Sequence, residues 1–162
     1  MVVDSGGRLD EACIGDLVAL EAKKAGLRGM VIWGLHRDTS ELMRIGLPIF
    51  SLGALPAGPR CLDPRSPDCM HWARVGSWVV TAEDCVACDA DGVLFLPVAK
   101  LHEIVPVAAG IAEKERWHAE MMRTDVSFRQ QTKFSEYLAA REANSNFGFR
   151  EHLKIVGGAI ET

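Results

Sequence analysis

Three side chains of this sequence could do chemistry together. Asp16 is followed, after twenty intervening residues, by the pair Arg37-Asp38, and Glu41 stands three positions further on. Two carboxylates and a guanidinium meeting at one point could hold a divalent cation and an anionic substrate side by side. A carboxylate is a hard oxygen donor suited to Mg²⁺, and the planar guanidinium forks onto carboxylates. Residue types alone leave a plainer alternative open, in which Asp16 caps a helix and Arg37-Asp38 is a solvated turn. What separates the two is whether the intervening chain folds so that its ends meet.

The elements needed for that are visible. Gly15-Asp16 precedes Leu17 to Ala25, a run rich in helix formers, with Lys23 and Lys24 in its last turn and Gly26 as its stop. Asp16 is the expected N-cap. Met30-Val31-Ile32-Trp33 is a short continuous apolar run, which predicts a buried strand. A helix that starts at Asp16 and a strand that ends near Arg37-Asp38 would bring these groups to one edge of a sheet. Ser40 to Arg44 predicts a short helix ending at Gly46, and Pro48 to Leu52 another strand. Val2-Val3 reads as the tail of a strand before a turn at Asp4 to Gly7.

Ala54 to Asp68 carries Pro56, Gly58, Pro59, Pro64 and Pro67 and predicts a long irregular loop, a kind that is often functional. Ser77 to Val80 and Cys85 to Asp89 read as strands around a turn at Glu83-Asp84. Asp91-Gly92 has the composition of a tight hairpin turn into a strand at Val93 to Leu96. After Val98 the character changes. Leu101, Ile104, Val105, Ala108, Ile111 and Ala112 recur at helical spacing, so a long helix is expected despite Pro106. Ser127-Phe128-Arg129-Gln130 has the form of a capping box opening a second helix. Phe149 to Val156 predicts a third, stopped by Gly157-Gly158. The expected organisation is an α/β core over residues 1–97 and a helical extension over residues 98–162. The extension's apolar residues, Phe134, Tyr137, Leu138, Phe147 and Phe149 among them, must bury against the core or against a neighbouring subunit.

Bulk composition narrows the function. At 162 residues the length suits one domain, and 48% hydrophobic with 25% charged residues is ordinary for a soluble globular protein. A net charge of −4 offers no basic footprint, which argues against a nucleic-acid partner. No apolar run approaches the about 18 residues that span a bilayer, so no membrane partner is expected. No charged stretch followed by an apolar segment announces a secretion signal. Five cysteines, odd in number and unpatterned, suit a reducing cytoplasm.

Other motifs are weaker. Cys85-Val86-Ala87-Cys88 is formally a CxxC, but on a strand residues three apart face opposite ways, so the two thiols cannot share a metal. Cys61 and Cys69 do not supply the second pair of a zinc site. No His-x-His or His-Glu-x-x-His pattern occurs. His102, His118 and His152 are expected as surface or packing residues of the extension, as are Trp117, Met121 and Met122 in its packing. His36 adjoins the Arg-Asp pair and could touch a substrate. Glu41 could support Arg37, or simply lie on a helix surface.

An ordered set of these pieces resembles the RraA-like proteins, which include class II pyruvate aldolases. Their pattern is Asp-x20-Arg-Asp, then Pro-Val-Phe, a Gly-x-x-Pro loop, and a strand pair of the form Gly-Asp-x-Val-x-Ala-Asp-x-Asp-Gly-Val-Val-x-x-Pro. This chain has Asp16-x20-Arg37-Asp38, Pro48-Ile49-Phe50, Gly53-Ala54-Leu55-Pro56, and Glu83-Asp84-Cys85-Val86-Ala87-Cys88-Asp89-Ala90-Asp91-Gly92-Val93-Leu94-Phe95-Leu96-Pro97, collinear over residues 2–97. It departs from the pattern at Trp33 and His36, and an N-terminal part usual in the family is missing or differently supplied. The segment Ser127 to Ile160 occurs in only part of the family.

The resemblance implies an α/β fold, a layered β/β/α swivelling domain, here with a C-terminal helical extension, assembled as a homotrimer or hexamer with the site near a subunit interface. It implies that Asp38 binds Mg²⁺ or Mn²⁺, that Arg37 contacts a small 2-oxo acid, and that Asp16 holds a water beside the reacting centre. Backbone N–H groups of Gly15, Asp16 and Leu17 would seat the pyruvate carboxylate. The implied activity is a metal-dependent lyase, cleaving a 4-hydroxy-2-oxo acid to pyruvate or decarboxylating oxaloacetate. Some members instead bind and inhibit an RNA-degrading endonuclease, and these commonly lack the acid after the Arg, so Asp38 favours the enzyme. The family's older methyltransferase label finds no Gly-x-Gly nucleotide loop here.

Overall fold

A computed structural model of the chain describes residues 1–60 and 64–157. The chain divides into two compact units, the first Met1–Ala99 and the second beginning at Lys100.

The first unit is built around one strand. Its elements in order are β1 (Val2–Asp4), β2 (Ala12–Ile14), α1 (Asp16–Lys24), β3 (Met30–His36), α2 (Thr39–Ile45) and β4 (Ile49–Ala54). β1, β2 and β4 all pair with β3 in parallel. β1 runs beside Val31 to Trp33, and β2 beside Leu35 and His36. A strand has two edges, so β1 and β2 share one of them end to end while β4 takes the other. Parallel neighbours need crossover connections, and α1 and α2 supply them. A central parallel strand is covered on both faces, which explains the unbroken apolar run at its start. Met30 and Ile32 are buried and pack with Ile14, Ala22 and Leu47. Each of the methionine, isoleucine and leucine side chains contributes about 1.5–3 kcal/mol by leaving water.

β3 extends past the expected end at Trp33 to His36. Gly34 is required inside the strand because the chain after β1 packs on its backbone. A Cβ there would come within 2.7 Å of the Ser5 Cβ. The N-cap of α1 also differs from expectation. Gly15, in an extended conformation, is the cap, and Asp16 is the first helical residue.

Two antiparallel hairpins complete the unit. β5 (Trp72–Val75) pairs with β6 (Trp78–Thr81), and β7 (Asp84–Asp89) with β8 (Gly92–Pro97). The expected partnership across Glu83-Asp84 does not form. The Asp84 carboxylate accepts the Thr81 N–H at 2.8 Å, making a corner there, and β6 turns back through Gly76, at φ +61, onto β5. The second hairpin turns at Ala90-Asp91, with Gly92 already paired to Asp89. Cys85 pairs with Leu96 and Cys88 with Val93, so the two thiols lie on opposite faces. Cys61 lies outside the described residues.

The second unit is helical: α3 (Leu101–Arg123, with Pro106 inside it), α4 (Phe128–Gln131), α5 (Phe134–Ala143) and α6 (Phe149–Val156). Ser127 and Gln130 form both halves of a capping box before α4. His118, Thr132, Tyr137 and His152 are buried. His152 Nε2–H donates to the Thr132 carbonyl at 2.8 Å, among the rings of Tyr137, Phe147 and Phe149. His118 and His152 are thus packing residues, whereas His102 is exposed. α6 stops at Gly157, at φ +71; Gly158 lies outside the described residues. The chain is an α/β core with a C-terminal helical region.

Candidate functional site

Arg37 and Asp38 leave β3 at its C-terminal end. Arg37 N–H donates to the Ile14 carbonyl at 2.9 Å, which carries the β2–β3 ladder one residue beyond the strand. Asp38 then adopts φ 61 and ψ 37, the left-handed region that aspartate tolerates better than most residues. That one residue turns the chain into α2, and its carbonyl accepts from Glu41 and Leu42 N–H at 2.9 and 3.0 Å.

The turn aims the Asp38 carboxylate back at the start of α1. Its Oδ2 lies 3.4 Å from Asp16 N and 3.3 Å from Arg37 Nε. A helix N-terminus carries partial positive charge, so the carboxylate is held between two positive groups. Gly15 makes this approach possible, because a Cβ there would fall 2.6 Å from Asp38 Oδ2 and 2.9 Å from Arg37 Nε. The far end of the guanidinium rests on a second glycine. A Cβ on Gly58 would lie 2.5 Å from Arg37 Nη1.

Asp16 accepts its neighbour's backbone, Leu17 N–H to Oδ1 at 2.7 Å. Two N–H groups at this helix start therefore face the chain's own carboxylates. Arg37, paired to Asp38 through Nε, stands beside that helix start with its side chain 42% exposed. The structure thus brings Gly15, Asp16, Leu17, Arg37 and Asp38 to one place.

His36 and Glu41 are engaged elsewhere. His36 Nδ1 is 2.7 Å from Ser51 Oγ and its Nε2 is 3.0 Å from Thr39 Oγ1, so both ring nitrogens are committed to hydroxyls. His36 pins the end of β3 to β4 and to the first residue of α2, and so steadies the Arg37-Asp38 turn. Glu41 pairs with Arg44 along α2, not with Arg37. Ser51, Thr39 and Gly58 escape sequence reading, because contacts between neighbouring strands and loops leave no mark in spacing.

Among the described residues, no group of three or more His, Cys, Asp or Glu side chains converges to hold a metal. An all-protein cage is therefore not what these residues build. Mg²⁺ keeps several waters and is usually held by one or two carboxylates with substrate oxygens. Asp38 fits that mode, since its Oδ1 takes no hydrogen bond from a described residue while Oδ2 is anchored.

Residues 1–95 match the RraA-like family, described as Aldolase/RraA. A protein of Alcanivorax borkumensis, provisionally named 4-hydroxy-4-methyl-2-oxoglutarate aldolase, is 41% identical over 56 residues, 35% of each chain. A protein of the same provisional name from Albidiferax ferrireducens is 35% identical over 89 residues, 52% of this chain and 51% of its own. The chain thus spans about half or less of the length of these curated relatives. The solved structure of RraAS2 from Streptomyces coelicolor, described as an unusual member of the RNase ES inhibitor RraA protein family, is 29% identical. It superposes with a TM-score of 0.61 over 77% of this chain and 61% of its own. The matched segment contains the whole parallel sheet and every residue of the candidate site, and on that ground the chain belongs to the RraA-like family.

Proposed function

We propose that this protein is a cytoplasmic, divalent-metal-dependent lyase on short 2-oxo acids, cleaving a 4-hydroxy-2-oxo acid to pyruvate, decarboxylating oxaloacetate, or both. One observation carries the reading: Arg37 and Asp38 are folded back over Gly15, with Asp38 Oδ2 between Asp16 N–H and the guanidinium. The aldolase names of the relatives support it.

Mg²⁺ or Mn²⁺ held by Asp38 would supply Lewis-acid polarisation of the substrate's C2 carbonyl. Arg37 binds the keto-acid and stabilises the negative charge that grows on the C2 oxygen. Asp16, directly or through a water, takes the proton of the C4 hydroxyl as the C3–C4 bond breaks. C4 becomes the carbonyl of the leaving aldehyde or ketone, and the bond's electrons pass into the C3–C2–O system as pyruvate enolate. Protonation at C3 completes pyruvate. From oxaloacetate the same bond breaks with loss of CO₂, so both reactions share one enolate and one set of stabilising groups. The active assembly in this proposal is a homotrimer or hexamer, in which a neighbouring copy covers the open side of Arg37.

A second reading is a non-catalytic, protein-binding regulator. Its support is the likeness to RraAS2, whose family is described by inhibition of an RNase. Asp38 favours the lyase. Pyruvate release from a 4-hydroxy-2-oxo acid and from oxaloacetate, followed with and without Mg²⁺, tests the choice. The lyase releases pyruvate from at least one substrate only with metal; a folded protein inert to both leaves the regulator.

A further inference from the structure

Arg37 rests on a loop, and the loop is held from behind. Leu55 N–H donates to the His36 carbonyl and Ala12 N–H to the Ala57 carbonyl, each at 2.9 Å, which ties the first part of the loop to β3 and β2. The next tie is made by a side chain. Arg60 N–H donates to Glu11 Oε2 at 2.6 Å, and Glu11, the residue before β2, is only 5% exposed. Glu11 Oε1 lies 2.7 Å from Arg8 Nη1, while Asp10 stands 3.6 Å from both Arg8 Nε and Arg60 Nη1. A buried carboxylate is costly unless paired and hydrogen-bonded. Glu11 is both, and one of the things it grips is loop backbone.

Gly58 lies between the ties at Ala57 and Arg60. Its backbone is the wall behind the guanidinium, since a Cβ there would sit 2.5 Å from Arg37 Nη1 and 3.5 Å from Cζ. A shift of this wall moves the fork that meets the substrate.

We infer that Glu11 is a positioning residue for Arg37: by holding Arg60 N–H it fixes Gly58 against the guanidinium and sets where the fork meets a keto-acid carboxylate. The keto-acid part of this rests on the lyase reading, whereas the wall rests on geometry alone. Among the described residues Glu11 pairs with Arg60 N–H and Arg8, not with Arg37, so its influence on Arg37 passes through the loop. Gly58 is the second component, because a methyl group there requires Arg37 to move.

The test compares Glu11→Ala and Gly58→Ala, each alone and combined with Arg37→Ala. The readouts are kcat, KM, the thermal midpoint, and the rate at which phenylglyoxal modifies Arg37. The last is read by peptide mass spectrometry against exposed Arg44. Both single variants are expected to raise KM for the keto-acid on the order of tenfold, as a displaced positioning group does. Both should change the modification rate of Arg37 but not of Arg44. In the Arg37→Ala background neither should lower activity further. An equal loss in both backgrounds, or an unchanged KM and modification rate, overturns the inference and leaves Glu11 a stability residue. If the native protein cleaves neither substrate, the lyase reading fails by itself and the phenylglyoxal comparison still decides for or against the wall. Should Glu11→Ala fail to fold, Arg60→Pro removes the N–H donor and keeps the Glu11–Arg8 pair. It must then reproduce the altered Arg37 reactivity, and a native rate in that variant overturns the inference.

Discussion

Asp38 does two separable things. Its backbone makes a left-handed turn, at φ 61, and its carboxylate joins Arg37 and the start of α1. Asparagine tolerates the left-handed region about as well as aspartate. Asp38→Asn should therefore leave the thermal midpoint near native while cutting kcat/KM on the order of a hundredfold, as loss of one charge-stabilising group does. Asp38→Ala should cost stability as well, on the order of 1 kcal/mol, because alanine is strained there. Equal midpoints for the two variants would contradict the backbone role. Arg37→Ala should lose about 3 kcal/mol of transition-state stabilisation, and Arg37→Lys should not restore it, since an ammonium does not reproduce a planar fork. Steady-state kinetics on both variants checks this. The Arg37-Asp38 pair was legible in the sequence because a helix and a strand between two chemical groups bring those groups to one sheet edge. Gly58 and Glu11 were not legible. Their relation to Arg37 runs across a proline-rich loop and through one backbone hydrogen bond, and neither has a period or a spacing.

Elements with strong local signals came out as expected, and weak ones did not. The apolar run at Met30 announced β3, and Ser127-x-x-Gln130 announced α4. β2 (Ala-Cys-Ile) and β5 (Trp-Ala-Arg-Val) lack the adjacent valines that mark the equally short β1 and β6, and neither is visible in the pattern. With β5 invisible, the pattern offers β6 only β7 as a partner, whereas β6 pairs with β5. Residue preference points to Asp16 as the cap of α1, whereas crowding by Arg37 and Asp38 requires Gly15 there. The capping box can be tested by itself. Ser127→Ala removes the acceptor of the Gln130 N–H and should cost about 1 kcal/mol in urea unfolding. A midpoint unchanged from native would show that α4 does not depend on its cap.

At the scale of the whole molecule the two units divide the roles. The first carries every candidate site residue, and the second is helical. The first unit exposes Leu17 on α1, Met43 on α2 and Leu52 on β4, at 75%, 78% and 45%. Light scattering at micromolar concentration is expected to report a trimer or a hexamer; a monomer of 17.7 kDa would contradict the proposed assembly. In the proposed mechanism Arg37, Asp38 and Asp16 stabilise a pyruvate enolate, whichever acid the protein meets in the cell. The most direct measurement is exchange of the pyruvate methyl protons in D₂O, followed by proton NMR. The methyl signal should fade with protein and Mg²⁺, and persist when EDTA is added or Arg37 is replaced by alanine. A folded native protein that leaves the signal at the uncatalysed rate, or an Arg37→Ala variant that exchanges as fast as native, would contradict it.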